Sequence, residues 1–122
     1  MRRVVKIGEK DLDLLATATT PIRYKSVFGG DVMVAITQIH DGKREIVEAI
    51  DIITQLAYIM NRQAECSKEV LAKLSKEDFL DWLEDFGSMA FINAAMDIMD
   101  VYLETTESKS QPKNAVSRPK GK

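Results

Sequence analysis

The chain has 122 residues, 45% of them hydrophobic and 30% charged, with a formal net charge of −2. That size suits one soluble domain with a modest core and leaves no room for a second domain of ordinary size. No apolar stretch reaches the roughly 20 residues that span a bilayer, no secretory-leader pattern opens the sequence, and the single cysteine, Cys66, can form neither an internal disulfide nor a thiolate metal cluster. The expected compartment is the cytoplasm.

Arg3 to Ile7 is β-prone, Gly8-Glu9-Lys10 can turn, and Leu12, Leu14 and Ala16 then alternate with Asp11, Asp13 and polar neighbours. The pattern predicts a small hairpin over about residues 3–17. A lone hairpin is marginal in water, so it must lie on the helices or pair with another chain. Thr20-Pro21 signals a helix start, with Thr20 as N-cap and Pro21 at the first helical position. The helix runs through Tyr24 to Phe28 and stops at Gly29-Gly30; Asp31 caps a second one carrying Val32, Met33, Ala35, Ile36 and Ile39. Asp41-Gly42 is the next turn.

From Lys43 the pattern predicts the longest helix of the chain, with Ile46, Ile50, Ile53, Ala57 and Met60 on one face. Val47, Leu56 and Ile59 widen that face, while Glu48, Asp51, Gln55 and Arg62 form the polar stripe. At Leu74-Ser75-Lys76-Glu77-Asp78-Phe79, Ser75 and Asp78 fit a variant capping box and Leu74 can staple onto Phe79. Phe79, Trp82, Leu83 and Phe86 then share one face opposite Asp81, Glu84 and Asp85, and Gly87 is placed for a left-handed C-terminal cap.

Ser88 restarts the chain as N-cap of a helix over Met89 to Leu103 that is apolar almost all round. Its strongly polar residues, Asn93, Asp97, Asp100 and Glu104, follow one narrow seam at spacings of four, three and four. Such a cylinder is either the central core helix or a helix that also presents a surface to another chain. Residues 109–122 carry Lys109, Lys113, Arg118, Lys120 and Lys122 with no acid, a charge of +5 that leaves −7 on residues 1–108. Their composition predicts a disordered basic tail after a single domain spanning residues 1–108.

Little in the sequence points to catalysis. His40 is the only histidine, so no Cys/His zinc site or His-pair protease motif can be assembled. His40-Asp41 reads as a solvated turn rather than an acid–base pair, and Gly29-Gly30 lacks the rest of a phosphate loop. The carboxylates fall on a helix seam and on a solvent face, the usual pattern of wet surface. No cofactor and no metal is expected, and the protein is not expected to be an enzyme. The tail has no interleaved aromatics, and the acidic body would repel a polyanion, so a nucleic-acid partner is not expected; nor is a membrane. Met33, Met60, Met89, Met96 and Met99 all fall in apolar helix patterns. They suit core filling, and they also suit surfaces that accept other proteins.

Four words of sequence carry a resemblance: Thr20-Pro21-Ile22-Arg23-Tyr24, Phe28-Gly29-Gly30-Asp31, Leu56-Ala57-Tyr58-Ile59-Met60 with Gln63-Ala64, and Phe79-Leu80-Asp81-Trp82-Leu83. In order and spacing, from about residue 3 to 107, the chain resembles the tail assembly chaperones of long-tailed, siphovirus-type phages and prophages of Firmicutes. The resemblance implies a small non-enzymatic helical protein that binds the tape measure protein, the tail tube protein or both during tail morphogenesis, and that self-associates. It also implies a longer product made by programmed frameshifting, for which the codons of Lys120-Gly121-Lys122 are a candidate slippery site. No catalytic residues carry over from such a family.

The expected architecture is therefore mainly α: about five helices, a short N-terminal hairpin, a disordered tail and homo-oligomeric contacts. Phe91, Ile98 and Met99 are the candidate residues for protein contacts beyond the monomer, with Phe79 and Trp82 as internal anchors. The alternative is a small nucleic-acid-associated regulatory protein using the tail electrostatically.

Overall fold

The computed structural model describes residues 1–110, with side chains as far as Glu104. Two strands, β1 (Arg2–Ile7) and β2 (Lys10–Leu15), precede six helices: α1 (Thr20–Phe28), α2 (Val32–His40), α3 (Ile46–Glu65), α4 (Lys68–Leu71), α5 (Lys76–Leu83) and α6 (Ala90–Ser110). The expected mainly helical fold with an N-terminal hairpin is present. The one-turn α4 was not expected; it starts where the Ser67 hydroxyl accepts from the Val70 amide at 3.3 Å. Residues 111–122 lie outside the described residues, and with them most of the expected tail, while α6 continues to Ser110, past the anticipated domain end.

The strands pair antiparallel with Val5 opposite Leu12 and Arg3 opposite Leu14. Alternation sends Val5, Ile7, Leu12 and Leu14 into the core and leaves Val4 in solvent. Gly8 takes φ 66° in the tight turn, a conformation that disfavours side chains, and a Cβ there would also sit 3.2 Å from that of Ala90. Of the two options for the hairpin, the structure shows the first: it lies on the helices. The Asn61 amide donates to the Asp13 carbonyl at 3.0 Å, Gln63 to the Leu15 carbonyl at 2.8 Å, and Arg2 to the Ala64 carbonyl at 3.3 Å. Side chains of the last turns of α3 thus occupy backbone acceptors beside β2 that would otherwise invite another strand.

The centre of the molecule is α3. Every residue from Leu56 to Asn61 is buried, with Leu56, Ala57, Tyr58, Ile59 and Met60 fully so. Successive buried positions on a helix require cover from all directions, and β2, α1, α2, α5 and α6 supply it. Each fully buried aliphatic side chain contributes roughly 1.5–3 kcal/mol. A run of aromatic contacts joins the layers, from Phe28 to Phe79 at 5.0 Å between centroids, Tyr58 to Trp82 at 5.5 Å, and Trp82 to Phe91 at 5.6 Å. Trp82 and Phe79 are internal anchors, as expected.

Several local expectations are corrected. The N-cap of α1 is Thr19, not Thr20; Thr20 is wholly buried and its hydroxyl accepts from the Thr17 amide and from Gln63. The third helix starts at Ile46 rather than Lys43 and is one residue shorter than α6. Ile46 and Val47 are 75% and 77% exposed, because the first turn projects past the elements that cover the rest of α3. Ser75 does cap α5, accepting from the Asp78 amide at 3.1 Å. The Asp78 carboxylate does not return the bond in capping-box fashion; it accepts from the Tyr58 hydroxyl and from Arg62. Gly87 is not among the positive-φ glycines, and α5 closes instead through the Glu84 amide on the Asp81 carbonyl. The last helix begins at Ala90 rather than at Met89, one residue beyond the start that Ser88 was expected to cap, with the Met89 carbonyl accepting from Asn93.

Candidate protein-contact surface

The described part of α6 divides into two halves. One half carries Ala90, Phe91, Ala94, Ile98, Met99, Val101 and Tyr102, all buried against the hairpin and the other helices. Phe91, Ile98 and Met99, the expected contact residues, therefore lie in the monomer's own core, at 7%, 0% and 3% exposure. The apolar residues here that do face solvent are Met89, just before the first turn of the helix, and Ile92 and Met96 on it, at 57%, 44% and 66%. At 100° per residue these three share one stripe with the half-buried Leu103, about 21 Å long from Met89 to Leu103. Period alone located the apolar helix; it could not separate the stripe turned inward from the one turned outward, because both satisfy the same spacing.

Beside the stripe runs the polar seam. Asn93, Asp97 and Asp100 are exposed and Glu104 is half-buried, so the seam is wet, as expected. Arg3 of β1 reaches across to it, pairing with Glu104 at 3.1 Å and donating to the Asp97 carbonyl at 3.3 Å. Asp97 and Asp100 form no ion pair among the described residues. At the seam's far end, Asn93, Met89 and Ala90 line a cleft of about 530 Å³ with the turn residues Gly8 and Glu9.

A second cleft of about 520 Å³ lies between the hairpin turn, the end of α3 and α5. Its floor is a hydrogen-bonded hub: the Trp82 indole donates to the buried Asn61 side chain at 2.9 Å, and Asn61 in turn donates to the Asp13 carbonyl and to Glu65. All the hydrogen-bonding capacity turned inward is matched, which makes this hub a brace between hairpin and helices. Asp11, Glu65, Asp81 and Asp85 stand around the rim with Lys10 and Arg62. Among the described residues no group of three or more acidic, histidine or cysteine side chains is arranged to hold a metal ion. Asn61 drew no notice in the sequence, since a single amide in a helical pattern looks like any surface residue until its neighbours are known.

His40 stands on the surface beside Asp41, 3.7 Å away, with 64% and 48% of their side chains exposed. The hydrogen bond from Arg2 holds the Asp13 carboxyl below its ordinary value, and three tyrosines are raised. Burial pushes the Tyr24 phenol up to about 12. Burial, reinforced by the hydrogen bond to Asp78, raises Tyr58 further. Burial and the nearby Asp31 charge raise Tyr102, which also sets the start of α2 near the later turns of α6. These phenols lie within the packing, and their shifts bear on stability. Compared with protein-family models, curated proteins and solved structures, the chain finds no match. Among the described residues no helix is long and apolar enough to cross a membrane.

Proposed function

We propose that this protein is a phage tail assembly chaperone that binds the tape measure protein, the tail tube protein or both while the tail is built, without catalysing a reaction. The observation that supports this reading is the exposed apolar stripe of Met89, Ile92 and Met96 on a helix whose other half is locked in the core. A fixed stripe can cover an apolar client at little ordering cost, and the exposed carboxylates beside it keep the complex dissolved. Self-association through neighbouring exposed apolar positions belongs to the same proposal. Release would then follow from competition by the polymerising tube protein, in a bacterial cytoplasm.

On this reading a tape measure protein is encoded beside the chain, and the test is co-expression with it. The wild-type chain should co-purify with that client, whereas Ile92→Asp/Met96→Asp should fold normally and lose it. Failure of the wild-type pair to co-purify, or full retention by the double variant, would remove the reading. A salt-sensitive DNA complex that vanishes when residues 109–122 are deleted would favour the nucleic-acid-associated regulator instead.

A further inference from the structure

Resting on the reading of α6 as a client surface, we infer that its occupant is an amphipathic helix whose apolar stripe is flanked by lysine or arginine. The argument begins with the backbone. From Asn93 onward the amides of α6 are used within the helix, and that of Ala90 is taken by the Gly87 carbonyl, so beyond its first turn the stripe offers side chains and no free main-chain donors. An extended segment laid along Ile92 and Met96 would lose water from most of its own peptide groups and gain little for them. A helix brings its hydrogen bonds with it. The stripe's exposed part, Met89 to Met96, is one or two residues wide and about 10 Å long, with the half-buried Leu103 farther along the same line, a ridge that a second helix can follow.

Charge then selects the flank. Met96 and Asp100 are four residues apart and Met89 and Asn93 likewise, so the seam borders the stripe on one side throughout. Glu104 is already engaged by Arg3, which leaves Asp97 and Asp100 to meet the occupant. The other border, at Met99 and Ala95, turns into the protein. A docked helix therefore meets carboxylates along one edge, where basic side chains are attracted and acidic ones repelled. A second copy docked antiparallel through α6 would set the two seams on the same side and place carboxylates beside carboxylates, so antiparallel self-pairing of this stripe is disfavoured.

Three synthetic helical peptides of about 16 residues, with leucines at heptad core positions and lysine, glutamate or glutamine on the flank, decide the matter by titration against the full chain. The lysine peptide should bind about tenfold tighter than the glutamate peptide at low salt, two attractions against two repulsions, with the gap closing at high salt. Asp97→Asn/Asp100→Asn should reduce the gap to about threefold or less, and Met96→Asp should abolish binding of all three. Equal affinity for the lysine and glutamate peptides overturns the basic flank while leaving the client surface standing. Absence of any peptide binding while the tape measure protein still co-purifies through Ile92 and Met96 overturns the helical occupant. Concentration-dependent self-association that Met96→Asp removes, with no peptide binding, assigns the stripe to a second copy and overturns the inference. Loss of co-purification itself removes the underlying reading as well.

Discussion

The two long helices, α3 and α6, are nearly equal in length and similarly rich in apolar residues, yet they are covered to different degrees. Around Leu56 to Asn61, α3 is enclosed on every side. α6 is enclosed over half its circumference and leaves Met89, Ile92 and Met96 in water. Apolar content is therefore no measure of burial in a chain this small: one helix can be fully surrounded, and the next has only the first to lie against.

Several measurements can break or sharpen that contrast. The largest effect belongs to the enclosed positions. Leu56→Ala in α3 and Ile98→Ala on the inner half of α6 should each cost about 2–5 kcal/mol in chemical denaturation, and similar values for Met96→Ala would show the outer stripe to be packed as well. Next is the link between α3 and α5. Asp78→Ala leaves the buried Tyr58 hydroxyl and Arg62 without their shared acceptor, and a loss of about 1–3 kcal/mol is expected, read as a lower denaturation midpoint at unchanged slope.

Helix starts come third: Ser75→Ala should cost about 1 kcal/mol, against no comparable loss for Ser88→Ala if α6 indeed begins beyond that residue. Alkaline titration probes the cover of α3 more gently. Phenols raised in the folded state contribute stability that is fully present below their ordinary value near 10 and is lost as pH rises through the folded values, about 12 for Tyr24. Stability should accordingly fall above pH 10, and Tyr24→Phe should flatten that fall; an unchanged slope would mean the phenol titrates freely. The smallest effect is expected on the outer half of α6, where Ile92→Ala or Met96→Ala should change stability by no more than about 0.5 kcal/mol, so that any loss of client binding reports the surface itself.

Much of the fold was visible in residue order, and the exceptions are instructive. Alternation in β2 gave the inward leucines, Asp31 and Ser75 gave two helix starts, and the aromatic face of α5 gave its anchors. Gly87 misled because glycine permits a left-handed cap without requiring one. Ile46 and Val47 misled because a helical period continues to the end of a helix whether or not a neighbour extends that far. Asn61 escaped because its three partners come from α5, β2 and its own helix.

The sequence by itself determined the local and periodic features: a hairpin, helices that begin at short polar caps, an apolar helix with one wet seam, and a body more acidic than the chain as a whole. Only the tertiary structure decided which helix is central and which stripe of α6 is left open, moving the candidate contacts from Phe91, Ile98 and Met99 to Met89, Ile92 and Met96. The reason is geometric. Periodicity fixes the angle between side chains on one cylinder, while burial depends on where the other cylinders lie, and that is set by contacts between residues far apart in the chain.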